Sequence, residues 1–110
     1  QFNTLKENTI TILETNNEND TPTSISEPII KFGRTGYNQN NIEVSGGNAV
    51  SRRHCIIINN KDNVWLYDLE STGTEVNDEK VTNKIPLIGF NKVKIDDVFF
   101  TITTDKTKLL

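Results

Sequence analysis

Methionine is absent from the 110-residue sequence, and histidine and cysteine occur once each, as the neighbours His54 and Cys55. A single cysteine cannot form an intramolecular disulfide, and one Cys beside one His cannot surround a metal ion without further soft ligands. A serine nucleophile needs a histidine base that a third group orients, and no G-x-S-x-G elbow is present. We therefore predict no disulfide scaffold, no metal site, no cofactor and no enzymatic activity.

Long apolar runs and an excess of positive charge are also missing. No stretch approaches the roughly 18 apolar residues that a membrane span requires, and none follows a basic start as in a signal peptide. The formal net charge of −3 argues against a general affinity for nucleic acid. We expect an intracellular chain, nuclear or cytoplasmic, that binds neither membranes nor nucleic acid directly.

The length limits the number of domains. A chain of 110 residues can bury one core but not two. We expect a single domain over residues 1–110, with a core of about residues 9–104 and monomeric as an isolated unit. The missing methionine at position 1 predicts that this domain is a piece of a longer protein.

What the sequence does contain is short β-branched and apolar bursts between Asn, Asp, Gly, Ser and Pro, a spacing typical of an all-β sandwich. No window keeps apolar residues at helical spacing for three turns, so little or no helix is expected. The bursts are Thr9 to Glu14, Ile29 to Gly33, Ile42 to Val44, His54 to Asn59, Val64 to Leu69, Glu75 to Asn77 with a return near Val81, Lys84 to Leu87, and Lys92 to Ile102.

Three segments carry more specific predictions. In VWLYDL at 64–69, alternation puts Val64, Leu66 and Asp68 on one face of a strand, whereas the unbroken apolar run Ile56 to Ile58 predicts a strand buried on both sides. The segment Lys92 to Ile102 predicts a closing hairpin with its turn at Asp96 and Asp97. The polar segment Asn16 to Glu27 predicts a long loop.

Hydrogen-bond donors gather in three predicted loops: GR at 33–34, SRRH at 51–54 and STGT at 71–74. A sandwich collects its loops at the ends of its strands, and Glu70 is the one carboxylate expected among them. An arginine, hydroxyls and backbone N–H groups suit a doubly charged phosphate. The alternative is that Arg34 pairs with a surface carboxylate and the hydroxyl residues only form turns; spacing alone leaves both open.

The order of these motifs resembles the forkhead-associated (FHA) domain. The resemblance rests on FGR at 32–34, SRRH at 51–54, DLESTGTEVN at 68–77 and the hairpin GFNKVKIDD at 89–97. It implies a two-sheet antiparallel β-sandwich, FHA/SMAD-like, of about eleven strands. It also implies that loops at one end bind phosphothreonine-containing proteins or peptides, so the partner is expected to be a phosphothreonine-containing protein.

The resemblance assigns roles residue by residue. Arg34 would hold the phosphate, Ser51 would donate its hydroxyl and backbone N–H to it, and Ser71 would complete the cradle. Arg52 would contact the phosphate or the peptide chain. Thr72 would lie beside the peptide.

Four further residues would support the site rather than touch the ligand. His54 would brace the loops from beneath, and Gly33, Gly73 and Asn77 would fix turns.

Two positions depart from the family pattern. Thr72 stands where an asparagine commonly grips the peptide backbone, and a hydroxyl cannot donate and accept through two separate groups as an amide does. Glu70 stands where a small polar residue is usual, and its charge would oppose an anion if it pointed inward. The alternative function is therefore a phosphate-independent interaction or dimerisation domain that uses a sheet face or a strand edge.

Overall fold

The computed structural model describes residues 8–15, 21–37, 39–45, 50–60, 62–69, 71 and 73–105. These residues form eleven strands and no helix. The strands are β1 (Ile10–Glu14), β2 (Thr23–Ile25), β3 (Ile29–Arg34), β4 (Ile42–Val44), β5 (Cys55–Asn59), β6 (Val64–Asp68), β7 (Thr74–Val76), β8 (Glu79–Lys80), β9 (Lys84–Pro86), β10 (Phe90–Ile95) and β11 (Val98–Thr104).

The strands form two sheets that pack face to face. One has six strands in the order β2-β1-β11-β10-β7-β8, and the other has five in the order β4-β3-β5-β6-β9. Neighbours are antiparallel except β3 and β4, which are parallel. The prediction of a two-sheet β-sandwich of about eleven strands is confirmed.

The core lies between the sheets and follows from alternation along each strand. On β3 and β6 every second side chain is fully buried, as with Ile30, Phe32 and Leu66. The rings of Phe32 and Phe100 meet edge to face across the two sheets, with centroids 5.8 Å apart and planes at 83°. Such aromatic pairs add about 0.5–1.5 kcal/mol beyond the burial of their area.

Several strand predictions are confirmed. Val64 and Leu66 are buried while Trp65 and Tyr67 point outward, as the alternation of VWLYDL predicts. The closing hairpin also forms: β10 pairs with β11, and the turn between them places Asp96 at a φ of 56°. Aspartate tolerates this left-handed conformation better than most residues.

Two predictions are wrong. Ile56 and Ile58 are only half-buried, because nothing in the described chain covers the outer face of the five-stranded sheet, and only Ile57 is fully buried. The predicted loop over 16–27 contains β2, a polar strand that pairs with β1 through its backbone. The remaining part of that prediction, residues 16–20, lies outside the described residues.

The pairing register brings three strand ends together. Phe32 near the end of β3 pairs with Cys55 at the start of β5, and Cys55 pairs with Asp68 at the end of β6. The loops that follow β3, precede β5 and follow β6 therefore share one end of the sandwich. This end carries the three predicted motifs.

Candidate functional site

Arg34 is held at the rim by the loop before β5. Its backbone N–H donates to the Ser51 carbonyl at 3.0 Å, and its side-chain Nε donates to the Val50 carbonyl at 2.9 Å. Val50 is fully buried, so the carbonyl that receives Nε belongs to a residue fixed in the core. Because Nε is engaged, the plane of the guanidinium group is oriented by the protein itself.

His54 joins two of the three loops from below. Its ring is fully buried; Nδ1 accepts a hydrogen bond from the Ser51 backbone N–H at 3.2 Å, and Nε2 lies 2.8 Å from the Gly73 carbonyl. Because Nδ1 accepts, the ring proton lies on Nε2, which donates to Gly73. Both nitrogens are thus bound to backbone. The Ser51 N–H, expected to face a phosphate, is directed at His54.

Ser71 belongs to a network centred on Asp68. The Ser71 hydroxyl donates to one Asp68 carboxylate oxygen and accepts from the Gly73 N–H at 3.1 Å, while the Ser71 N–H donates to the other Asp68 oxygen at 3.2 Å. The Thr74 hydroxyl also donates to Asp68, at 2.8 Å. The carboxylate of Asp68, at the end of β6, therefore lies against the Ser71 loop, where only the carboxylate of Glu70 was expected. Three donors hold it in place.

Gly33 lies where two loops cross β3. A Cβ atom there would be 1.9 Å from the Arg52 carbonyl oxygen, and 2.5 and 2.7 Å from the amide nitrogen and oxygen of Asn40. Glycine is required for this close approach rather than for a turn, since its φ is not in the left-handed region. The space lets the Asn40 Nδ2 donate to the Arg52 carbonyl at 2.9 Å and to the Tyr37 carbonyl at 3.2 Å.

The two arginines after Ser51 are exposed. The Arg52 guanidinium lies 5.2 Å from the centroid of the Tyr37 ring, within the range of a cation–π contact, and Arg53 donates to the Gln39 side-chain oxygen. A pocket of about 510 Å³ opens between Tyr37, Gln39, Arg52 and Arg53. This end of the sandwich therefore carries a cluster of cationic groups on an acidic chain.

Asn77 lies away from the rim and shapes a turn. Asn77 and Asp78 have φ values of 54° and 71°, the double left-handed conformation of a two-residue hairpin loop between β7 and β8. The Asn77 side chain accepts from the Lys92 N–H at 2.9 Å and so ties the turn to β10. Thr72 and Glu70 lie outside the described residues.

The single thiol of the chain, Cys55, is held in its protonated form by its surroundings. Cys55 is fully buried, and burial, together with the negative charge of Asp68, raises its pKa far above that of an ordinary thiol. A thiol that stays protonated is neither a nucleophile nor a metal ligand. Among the described residues, no three His, Cys, Asp or Glu side chains cluster as a metal site would require, and no helix is long and apolar enough to cross a membrane.

The family follows from the sequence pattern. The pattern of the FHA domain matches residues 30–95, which contain FGR, SRRH and DLESTGTEVN and the first strand of the closing hairpin. The chain belongs to the FHA domain family. None of the curated proteins matches it in sequence.

Solved structures share the architecture of this FHA domain. EmbR of Mycobacterium tuberculosis, solved with a low-affinity phosphopeptide, is 21% identical with a TM-score of 0.77; the match covers 91% of this chain and 25% of EmbR. The FHA domain of CT664 from Chlamydia trachomatis is 18% identical with a TM-score of 0.75, over 86% of this chain and 96% of that one. The N-terminal FHA domain of S. cerevisiae Rad53p, solved with a phosphothreonine peptide, is 17% identical with a TM-score of 0.75, over 88% and 94%. At these identities the likeness establishes the fold.

The sequence analysis did not predict that Asp68 and Asn40 contribute to the candidate site. Asp68 precedes Ser71 by three positions, and this Asp-x-x-Ser spacing is a recognisable signal for a local side-chain turn. Asn40 gives no such signal, because its partner Arg52 is twelve residues away. Only the fold brings them together.

Proposed function

We propose that this FHA domain binds phosphothreonine-containing partners through Arg34, Ser51, Arg52, Ser71 and Thr72. The observation that carries the proposal is the double attachment of His54, which fixes the Ser51 and Gly73 loops on either side of one buried ring. Donors from loops far apart in sequence then surround a space at a single rim. Gly33, His54 and Gly73 keep those loops in place, and Asn77 fixes the turn between β7 and β8.

The chemistry of the rim suits a dianion bound to a peptide. Arg34 supplies charge in an orientation fixed by Val50, and a guanidinium group is the side chain best suited to meet phosphate oxygens. Ser51 adds its hydroxyl. The Ser71 hydroxyl would turn from Asp68 toward the phosphate, and Asp68 would keep its bonds from the Ser71 N–H and the Thr74 hydroxyl.

The expected affinity follows from the number of bonds. Each charge-assisted hydrogen bond contributes about 1.5–3 kcal/mol net, so three or four would supply roughly 5–12 kcal/mol before the costs of association. Contacts to the rest of the peptide offset those costs, and we expect a dissociation constant on the order of micromolar, equivalent to a binding free energy of about −8 kcal/mol. An affinity of this size suits a reversible interaction that phosphorylation switches on.

The test is a binding screen of the 110-residue chain against three peptide libraries that differ only at a fixed central residue: phosphothreonine, phosphoserine or unmodified threonine. We expect binding to the first, weaker binding to the second and none to the third. Arg34→Ala should weaken phosphopeptide binding at least about 100-fold, the equivalent of two charge-assisted bonds. Lys92→Ala, which removes one positive charge from the exposed face of the other sheet, is the matched control.

Equal binding of the phosphorylated and unmodified libraries would contradict the proposal. Binding that does not depend on phosphate would point to the alternative function through a sheet face or edge. Full affinity in Arg34→Ala would remove Arg34 from the site.

A further inference from the structure

The outer face of the five-stranded sheet is apolar where a solvent-facing sheet is normally polar. In register across β3, β5, β6 and β9, one row of side chains consists of Ile29, Ile58, Trp65 and Pro86. None of the four is fully buried, and Ile29 is 44% exposed. Antiparallel sheets with one solvated face usually alternate apolar and polar residues, and a contiguous exposed apolar patch marks an interaction site.

The next row combines apolar and cationic groups. It consists of Lys31, Ile56, Tyr67 and Lys84, with a lysine at each end. The Lys84 ammonium lies 4.6 Å from the centroid of the Trp65 ring and 5.7 Å from that of Tyr67, so its charge is held over the aromatic part of the face. We call these two rows the outer face.

The outer face is continuous with the phosphate-binding end. Leu69, which is 37% exposed, lies above the second row, and with Ile29 and Ile56 it lines a pocket of about 290 Å³. Arg53 and Asn40 line this pocket and also the pocket of about 510 Å³ beside Arg52. A chain that leaves the phosphate site on this side therefore passes Arg53 and reaches the outer face.

The charges of the outer face indicate what covers it. Lys31 and Lys84 are positive, Arg53 adds a third positive charge at the adjoining pocket, and neither row contains a carboxylate. A symmetric pair of copies would place one outer face against the other and bring these cations together. A peptide segment that carries both apolar side chains and carboxylates is complementary to the apolar rows and to their positive charges.

We propose that the same partner that supplies the phosphothreonine also lays an apolar and acidic segment across the outer face. The proposal rests on the proposed function, because the phosphate fixes one end of that segment. A strand rises about 3.3 Å per residue, so the rows of Ile56 and Ile58 lie roughly 7 and 13 Å from His54 at the rim. An extended peptide has the same rise and covers these distances in roughly two to four residues. The residues that run from the phosphothreonine across the rim add to that number, so we expect the apolar anchor about four to eight residues from the phosphothreonine.

The experiment is a display library of 25-residue peptides with a fixed central phosphothreonine and all other positions randomised, selected on the 110-residue chain. We expect enrichment of Leu, Ile or Phe with Asp or Glu, about four to eight residues from the phosphothreonine and on one side only. Ile56→Glu should lower the affinity of the selected peptides at least about 10-fold while leaving that of short phosphothreonine peptides unchanged. Phe90→Glu, at a residue that is 63% exposed on the other sheet, is the matched control and should change neither.

A second variant keeps the test independent of folding at Ile56. The double variant Lys31→Glu/Lys84→Glu alters exposed side chains, and the preference of the selected peptides for acidic residues far from the phosphothreonine should become a preference for basic ones.

Selected peptides that require phosphothreonine but show no preference beyond the adjacent positions would overturn this inference and leave the proposed function intact. Selection without any need for phosphate would overturn both. Concentration-dependent dimers that Ile56→Glu abolishes would also overturn it, because a second copy would then be the occupant.

Discussion

Replacing Gly33 by alanine tests the crossing point that holds Arg52 and Arg34 in place. Ordinary contacts of a Cβ atom begin at 3.4 Å, whereas a Cβ at Gly33 would lie 1.9 Å from the Arg52 carbonyl oxygen. The carbonyl would have to retreat by about 1.5 Å. The atom in the way is backbone, so no side-chain rotation can relieve the clash.

This displacement of the Arg52 carbonyl lowers the free energy of unfolding. It separates the carbonyl oxygen from the Asn40 Nδ2, which is 2.9 Å away, and it strains the hydrogen bond from the Arg34 N–H to the Ser51 carbonyl, which is 3.0 Å long. A buried polar group left unpaired costs about 1–3 kcal/mol, and overpacking costs about as much again, so we expect a loss of roughly 2–6 kcal/mol in the free energy of unfolding. For a domain of this size that lowers the melting temperature by roughly 10–25 °C.

Thermal unfolding followed by circular dichroism measures this loss, with Gly36→Ala as the matched control. Gly36 has a φ of 101° and nothing within 4 Å of the position of a Cβ, so alanine there meets backbone strain but no clash. Its expected cost is only about 1–2 kcal/mol. If Gly33→Ala melts within a few degrees of Gly36→Ala, the close approach of β3 and the Arg52 carbonyl does not exist as described.

His54, Cys55 and the bound phosphate each give a further measurable outcome. His54→Ala should destabilise the fold by about 2–5 kcal/mol in denaturant titrations, because it leaves the Ser51 N–H and the Gly73 carbonyl unpaired. If the variant instead loses binding at unchanged stability, His54 contacts the ligand directly. Cys55, whose pKa is raised mainly by burial, should react with a thiol reagent only on unfolding. Because its folded pKa lies above the unfolded one, stability should be complete below the ordinary thiol pKa of about 8.5 and should fall above it by up to about 1.4 kcal/mol per pH unit; an equal fall in Cys55→Ala would assign the loss to another group. Phosphopeptide affinity should weaken below a pH of about 6 as the phosphate loses its second charge, and a flat calorimetric titration there would show that this charge is not recognised.

Strands and turns that depend on the pattern of a few neighbouring residues could be predicted from the sequence. The alternation of Val64 to Leu69 and the Asp96 turn of the last hairpin are both of this kind, since a period of two and a left-handed turn residue act over a few positions. Ile56 and Ile58 show the limit. An unbroken apolar run does not tell a strand covered on both faces from one whose outer face awaits a partner.

The missed parts of the site depend on contacts between distant segments. The strand β2 pairs with β1 and adds a single apolar side chain, Ile25, to the edge of the core, which is too little for a side-chain pattern to predict. Asn40 matters because Gly33 leaves room for its amide beside Arg52, and that coincidence exists only after β3 and the loop before β5 have been paired. The motif order predicted which loops meet, but not the groups that lock them together.

The buried ring at the centre of the site explains how an acidic chain can bind an anion. With both His54 nitrogens bonded to backbone and the Arg34 Nε bonded to Val50, Ser51, Gly73 and the Arg34 guanidinium are held in place before any ligand arrives. Preorganisation of this kind lowers the entropy lost on binding. The net charge of −3 opposes long-range attraction of anions, and salt screens charges beyond about 8 Å, so the rim arginines act only at close range. Under the proposed function, selectivity would therefore come from fit to a phosphate on a peptide, and not from a general attraction to polyanions.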